Sequence, residues 1–304
     1  ARKAAAGRSE DIRPTVFDNW AWGEIHAGKP LAEHHNPYVG LAGEADIELT
    51  PSATAKTIAV VGAGPGGLEA AWIAAARGHQ VTLFGAGADV GGKLRLDGTL
   101  PGRSEMHKII DYQKRMAERH GVNFVLGKNA SAEDVLAIEP DAVVLATGAG
   151  LRRPANLSAS ADPVVDGMAY IREHAGQSEA RKGTVLLFDQ DHGVTVYGLA
   201  DLLAEQFEKV ILVTPRTAIG QNVNYCSAIG VHRRLHQGGV EILPAHDLID
   251  YRDGAVVLRN VFTEGKKTLP DIMQVIYATP RLANDVLADS FGNVPVHAIG
   301  DCLS

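Results

Sequence analysis

The feature that most constrains the fold is a glycine-rich segment between an apolar run and a stretch of small residues. Gly62, Gly64 and Gly67 have the G-x-G-x-x-G spacing of a turn that joins a strand to a helix and binds a dinucleotide. The first glycine permits the tight turn, the second lets the backbone approach a pyrophosphate, and the third lets the helix pack on the strand. The run before it predicts a buried parallel strand over 57–61. The segment therefore predicts an adenine dinucleotide whose pyrophosphate lies at a helix N-terminus.

Composition narrows the class of protein. With 304 residues, 45% hydrophobic and 21% charged, the chain can form two domains with proper cores. A net charge of -7 argues against a nucleic-acid partner. The apolar stretch 58–76 is interrupted by Pro65 and Glu69, so it predicts a strand, a turn and a helix, and no membrane span. The only two cysteines, Cys226 and Cys302, favour a reducing compartment, and we expect a cytoplasmic protein.

A strand, helix and strand order occurs twice along the chain. The first unit has strands at 57–61 and 80–84, followed by a helix at 105–120 and strands at 123–126 and 142–146. The second unit starts at 183–188, continues with a helix near 197–207, and is followed by strands at 209–213, 240–243, 255–259 and 274–278. Residues 1–52 show little periodic structure and predict an arm and linker. The alternation predicts an α/β protein with a doubly wound sheet in each half.

Four motifs in this order resemble the two-dinucleotide-domain flavoprotein family. They are the fingerprint at 62–67, Gly91-Gly92-Lys93, Thr147-Gly148 and Gly300-Asp301. The resemblance implies FAD in the first domain and NAD(P)H in a second domain inserted into it. It also implies that Thr147 and Gly148 line the site and that Asp301 accepts a hydrogen bond from the flavin ribityl chain. The predicted cofactor-binding residues are Gly62, Gly64, Pro65, Gly66, Gly67, Gly91, Gly92, Lys93, Thr147, Gly148, Gly300 and Asp301.

The expected architecture is two Rossmann-like nucleotide-binding domains, the second inserted into the first, with an extended N-terminal arm. We place the arm and linker at 1–52, the FAD- or ADP-binding domain at 53–155 and 284–304, and the inserted NAD(P)-like domain at 156–283. Both FAD and ADP fit the fingerprint, because they share the adenosine and pyrophosphate end. No residue pattern identifies a catalytic side chain.

The arm narrows the resemblance. Its segments at 7–14, 28–31 and 36–37 resemble the connection between an FMN-bearing TIM barrel and the flavoprotein domains of 2,4-dienoyl-CoA reductase and of trimethylamine or dimethylamine dehydrogenase. The barrel is absent from this sequence, so the resemblance implies a barrel partner, either as a separate subunit or as part of a longer protein. An electron-transfer flavoprotein is a further possible partner.

The arm departs from this family at the iron-sulfur ligands. The expected cysteine positions hold Thr15, Asp18, Ala21 or Trp22, and Glu33. A four-iron cluster needs thiolate ligands, so we expect no cluster. We expect His26, His34 and His35 to be solvated and no metal to bind. Trp20 and Trp22 are expected to fill the space of the cluster.

Two further departures concern nucleotides. Gly85 ends the second strand, where an Asp or Glu would bind the adenosine ribose, and its absence predicts affinity lower by about ten- to a hundredfold. No arginine follows it, which argues against NADP at this site. In the second fingerprint, Asp189 and Asp191 stand near the expected pyrophosphate and predict its repulsion. We therefore expect poor NAD(P)H binding.

These observations support two leading hypotheses. The first is an FAD- or ADP-binding subunit of an oxidoreductase, which relays electrons to or from an FMN-bearing barrel of amine dehydrogenase or enoate reductase type. The alternative is a non-catalytic structural or regulatory subunit with a degenerate flavoprotein fold. An independent NAD(P)H-dependent reductase would need a working second fingerprint.

Overall fold

The computed structural model describes residues 2–39, 49–157, 163–177 and 180–303. Residues 40–48 of the predicted arm and Ser304 lie outside the described residues. The described helices are α1 (Arg2–Ala5), α2 (Trp20–His26), α3 (Pro65–Ala76), α4 (Gly92–Asp97), α5 (His107–Arg119), α6 (Ala132–Leu136), α7 (Gly167–His174), α8 (Val194–Gln206) and α9 (Tyr225–Gln237). The described strands are β1 (Thr57–Val61), β2 (Gln80–Gly85), β3 (Asn123–Leu126), β4 (Ala142–Leu145), β5 (Ala149–Leu151), β6 (Val164–Asp166), β7 (Arg181–Asp189), β8 (Phe207–Val213), β9 (Glu241–Leu243), β10 (His246–Arg252), β11 (Ala255–Asn260), β12 (Lys266–Leu269), β13 (Ile272–Ala278), β14 (Arg281–Ala283) and β15 (Val296–Ala298).

A five-stranded parallel sheet carries the fingerprint. Its order is β15-β4-β1-β2-β3, so β1 is central. Helices α3 and α5 cover one face, where Val60, Leu68 and Leu83 are buried. Val135 of α6 and Phe291 pack on the other face. Because both faces are covered, the short apolar run at β1 is buried throughout its second half, as a central parallel strand requires.

A second five-stranded parallel sheet has the order β6-β13-β7-β8-β9. Helices α7, α8 and α9 cover one face, and Tyr170 and Tyr197 are fully buried there. The other face is covered by the antiparallel sheet β10-β11-β12, through Leu248, Tyr251 and Leu258. The inserted sheet is thus covered by helices on one side and by strands on the other.

The chain leaves the first sheet after β4 and returns to it at β15. Everything that builds the second sheet lies between these two strands, as expected for a domain inserted into another. The prediction of an α/β fold with two Rossmann-like units is confirmed. Helices α7 and α9 and strands β10 and β12 were not predicted, because polar residues and histidines interrupt their apolar patterns.

The N-terminal arm contacts both sheet units. Arg13 is 7% exposed and donates two hydrogen bonds to Glu69 of α3, of 2.6 and 3.1 Å. The backbone oxygen of Asp18 accepts hydrogen bonds from Ser227 (3.0 Å) and Asn224 (3.3 Å) at the start of α9. The expectation of little periodic structure was wrong for 20–26, which form α2. The arm therefore connects the fingerprint helix to the inserted domain.

Candidate functional site

The fingerprint turn requires glycine at two of its positions. Gly62 has φ of 113°, and a Cβ there would collide with the carbonyl of Ala146 after β4. A Cβ at Gly67 would collide with the carbonyl of Gly62. These contacts hold β1, α3 and the end of β4 close together. The roles predicted for the first and third glycines are those the backbone requires.

The middle of the turn is open. A Cβ at Gly64 or at Gly66 would meet nothing within 4 Å. Gly64 is the N-cap of α3, and Pro65 occupies the first turn, where its missing N–H costs nothing. The free amides and the dipole at the start of this 12-residue helix form an anion site. This space can accept a pyrophosphate.

The second motif packs directly on the first. Gly91 has φ of 113° and donates a 2.7 Å hydrogen bond to the carbonyl of Ala63. A Cβ at Gly92 would lie 3.2 Å from the Cα of Gly64. A side chain there would press on the open part of the turn. The double glycine therefore allows a loop to close one side of the site.

Four of the remaining predicted residues, Thr147, Gly148, Gly300 and Asp301, follow the carboxyl ends of β4 and β15, and Lys93 of α4 contacts Asp301. Lys93 donates to the carboxylate of Asp301 (3.0 Å) and to the carbonyl of Ala149 (2.8 Å). Arg281 also donates to Asp301, at 2.9 Å. Burial opposes the effect, but these two cations hold the pKa of Asp301 below its usual value. The carboxylate is an ionised acceptor, the form that a ribityl hydroxyl would need.

Thr147, after β4, contacts residues at both ends of the segment 284–302. Its hydroxyl donates to the carbonyl of Asn284 and lies 3.1 Å from the sulfur of Cys302. Cys302 is 3% exposed and packs with Phe291 and Leu145, so it acts as a small buried filler. The predicted residues of this edge are brought together beside the crevice between β1 and β4. Open α/β sheets bind ligands at such a switch point.

The end of β2 has no space for a side chain at Gly85. Gly85 is the last residue of β2, and a Cβ there would lie 2.8 Å from both Ala63 Cβ and Leu126 Cδ2. An acidic side chain would therefore need more than the substitution of Gly85 alone. The sequence showed that the carboxylate is missing, but it did not show that the fold leaves no space for a side chain at Gly85.

The second fingerprint forms the turn at 189–193 between β7 and α8, and it contains two aspartates. Asp189 is fully buried, and its Oδ1 accepts from the backbone N–H groups of Asp191 (3.1 Å) and His192 (2.8 Å). Tyr197 donates to its Oδ2 at 3.0 Å. Burial raises the pKa of Asp189 to about 6. The expectation that Asp189 faces a pyrophosphate was wrong, because its side chain turns inward and caps the turn.

Asp191 lies beside the N-terminus of α8. A Cβ at Gly193, the N-cap of α8, would lie 3.0 Å from Asp191 Oδ2. A carboxylate beside a helix N-terminus is favourable for the helix and unfavourable for a second anion. The predicted repulsion of a pyrophosphate stays a prediction, and it concerns Asp191 alone.

His192 completes the buried network. It is 0% exposed, its Nε2 lies 3.2 Å from the hydroxyl of Thr214, and its Nδ1 lies 3.5 Å from Asp189 Oδ2. Burial lowers the pKa of His192 to about 4. The backbone is left-handed here, with φ of 60°, although the residue is not glycine. The turn is therefore held by side-chain contacts.

A cleft of about 400 Å³ lies beside this turn, on the opposite face of the second sheet from α8. Arg152, Gln190, Asp247 and Thr279 are among its lining residues.

Residues 56–301 match the family model described as pyridine nucleotide-disulphide oxidoreductase. The chain belongs to this family. The prediction of an oxidoreductase-type flavoprotein region with a Rossmann-like fold is confirmed. Pyridine nucleotide-disulphide oxidoreductases are flavin- and nicotinamide-dependent proteins.

The relatives place the match in one part of larger proteins. A probable N-methylproline demethylase of Rhizobium meliloti (strain 1021) is 35% identical over 237 residues, which is 78% of this chain and 34% of the relative. Histamine dehydrogenase from Rhizobium sp. 4-9 superposes with a TM-score of 0.90 at 26% identity, over 100% of this chain and 47% of that one. A 2-naphthoyl-CoA reductase superposes with a TM-score of 0.85 at 26% identity, over 100% of this chain and 45% of that one. The chain thus corresponds to the C-terminal flavoprotein region of this group and spans less than half of each relative.

The described helices include none that is long and apolar enough to cross a membrane.

Proposed function

We propose that this chain is the FAD-binding region of an oxidoreductase, which relays electrons to or from an FMN-bearing TIM barrel of amine dehydrogenase or enoate reductase type. The observation that carries the proposal is the open N-terminus of α3 at Gly64, closed on one side by the loop at Gly91. ADP would use the same contacts, and it is an alternative occupant. The relatives named above support the type of partner.

The residues present fit such a cofactor. The turn at 62–67 would hold the pyrophosphate, and Asp301 would orient the ribityl chain. When bound, FAD supplies the one- and two-electron chemistry. The protein contributes position and charge: Lys93 and Arg281 keep the Asp301 carboxylate ionised, and Thr147 holds the ends of the two segments together.

We further propose that the inserted domain does not use NAD(P)H. Asp191 beside the N-terminus of α8 supports this, since its carboxylate would repel a pyrophosphate bound there. In this proposal the electrons enter or leave through a protein partner. Adding NADH or NADPH to the flavin-loaded protein without oxygen should leave the flavin spectrum unchanged.

The second candidate is a non-catalytic structural or regulatory region that binds ADP or nothing. The specific observation in its favour is the lack of space for a side chain at Gly85. A retained fold with weakened nucleotide contacts would serve to stabilise the barrel. In this case the removal of the chain should lower the stability of its partner.

The deciding experiment is an absorbance spectrum of the natively purified protein, followed by mass spectrometry of what heat releases. Flavin bands near about 370 and 450 nm with released FAD support the relay. Released ADP, or nothing, would refute it and favour the structural role.

Matched variants localise the site. Gly64→Val places a side chain in the open space of an extended residue, so the fold should be kept and nucleotide retention lost. Gly230→Ala in α9 is the control, since its Cβ would also fit without a clash. Equal retention in both variants would contradict this site.

A further inference from the structure

The arm carries a group of metal-ligating side chains that contains no cysteine. One ligand atom each from Asp18, Glu33 and His34 lies within 4.8 Å of the others. Both cysteines of the chain are elsewhere, at Cys226 and Cys302, so the arm does not fit an iron-sulfur cluster. Carboxylate and imidazole ligands fit a different metal.

We propose that Asp18, Glu33 and His34 bind a divalent first-row transition metal ion, with Zn²⁺ as the representative. His34 Nε2 and Asp18 Oδ2 are 3.3 Å apart. Ligands that bind Zn²⁺ tetrahedrally at about 2.0–2.1 Å lie roughly 3.3 Å from each other. The two atoms thus have the separation of two ligands on one ion.

His35 provides an independent observation. Its side chain is 5% exposed, and its Nε2 lies 2.6 Å from the carbonyl of Pro14. A carbonyl only accepts, so Nε2 carries the proton and, in the neutral ring, Nδ1 is a bare acceptor. Nδ1 is buried, has no hydrogen-bond partner among the described residues, and lies 3.6 Å from Glu33 Oε2.

Glu33 Oε2 is also buried without a hydrogen-bond partner in the described part of the chain. Two buried acceptors that face each other are unfavourable unless a proton lies between them or a metal ion lies beside them. The expectation that the arm histidines are solvated was therefore wrong for His35. A metal ion on Glu33 would compensate both acceptors.

The local charge also favours a cation. Among the ion pairs of the described residues, Asp18 and Glu33 have histidines as partners and no lysine or arginine. The nearby Arg13 is committed to Glu69. With neutral histidines, the two carboxylates give a charge of -2, which a divalent ion balances.

A metal ion bound here would cross-link two segments of the arm. It would join Asp18, whose carbonyl accepts from α9, to the segment at 33–34. The adjacent His35 carbonyl accepts from Arg13 at 2.8 Å, and Arg13 is paired with α3. The ion would thus close a loop of the arm between its contacts with the two sheet units. The expected role is structural, and it does not depend on the proposed electron relay.

Two tryptophan–histidine pairs provide a matched test. Trp20 packs edge-on against His34 at 5.0 Å between ring centroids, and Trp22 packs against His26 at 5.1 Å. Tryptophans 20 and 22 are 41% and 53% exposed, so they do not fill a buried space as expected from the sequence. His26 lies outside the metal-ligating group, which makes His26→Ala the control for His34→Ala.

The protein, free of any histidine tag, is stripped with a chelator and titrated with Zn²⁺ by calorimetry. We expect one tight equivalent that raises Tm, and we expect Co²⁺ at the same site to quench tryptophan emission. H34A and E33Q should weaken Zn²⁺ binding by at least about tenfold, whereas H26A should not. Both variants change partly exposed side chains, and the far-UV circular dichroism spectrum of the same metal-free samples reports that the fold is intact.

The proposal is overturned if no Zn²⁺ binds, or if H34A and H26A bind it equally. His232 and His236, whose rings stack on α9, are a competing site. Loss of binding in H232A with retention in H34A would assign the ion to α9 and overturn the proposal. Failure of ADP binding with intact Zn²⁺ binding would affect the proposed function alone.

Discussion

Replacing Asp189 with asparagine should change the pH dependence of stability in the inserted domain. Asparagine keeps an acceptor for the amides of Asp191 and His192, but it does not titrate. Burial raises the pKa of Asp189 from 3.8 to about 6. The native state therefore keeps a proton that the unfolded chain releases, and the stability from this group falls as pH rises through that window.

The magnitude follows from the two pKa values. The gap between 3.8 and about 6, at about 1.36 kcal/mol per pH unit, gives about 3 kcal/mol. His192 acts in the opposite sense: burial lowers its pKa from 6.5 to about 4, so its contribution is lost as pH falls through that window. In the natural protein the two effects largely cancel between about pH 4 and 6. In D189N only that of His192 remains.

The free energy of unfolding of D189N should therefore rise relative to the natural protein, by about 2 kcal/mol between about pH 4.5 and 6.5. Urea unfolding followed by far-UV circular dichroism measures it, because all three tryptophans lie outside residues 156–283. D250N, which removes a partly exposed carboxylate of β10, should keep a parallel profile. Parallel profiles for D189N and the natural protein would refute the assignment of a buried, proton-binding Asp189.

Three further outcomes are expected. Arg13→Gln removes the cation paired with Glu69, whose carboxylate keeps hydrogen bonds from Trp72 and Gln113. The free energy of unfolding should fall by about 2 kcal/mol and proteolysis of the arm should become faster, whereas unchanged urea curves would argue against this anchor. Gly85→Asp should not strengthen ADP binding in calorimetry, because its side chain would press on Ala63 and Leu126, and tighter binding would show that the pocket opens freely. Asp301→Ala should weaken FAD by about tenfold or more and leave ADP unchanged, whereas an equal loss of both would place Asp301 away from the ribityl chain.

The backbone of the nucleotide site was predictable because its signals are local. The strand over 57–61 is a short apolar run with a glycine turn, and its limits were predicted without error. The same holds for the strand at 123–126. Gly62 and Gly67 must be glycine because a Cβ would collide with a backbone carbonyl. The spacing of the motif indicates both positions.

Side-chain directions were less predictable, because they depend on partners distant in the chain. Asp189 turns inward since Tyr197, eight residues later, offers a buried hydroxyl. Arg13 finds Glu69 across 56 positions, and nothing near either residue indicates the pair. His35 looks like a polar loop residue until the carbonyl of Pro14 and its burial are known. In each case the missing information is the tertiary contact.

The packing around Gly85 has a historical consequence. A lineage that had lost the acidic residue could regain it by one substitution only while the space remained open. Here Ala63 and Leu126 have taken that space, each 2.8 Å from where a Cβ would stand. The reverse path would need the neighbours to shrink first, through forms that carry a cavity and are less stable. In such a lineage the loss would act as an evolutionary ratchet, and later change in nucleotide affinity would come from other positions.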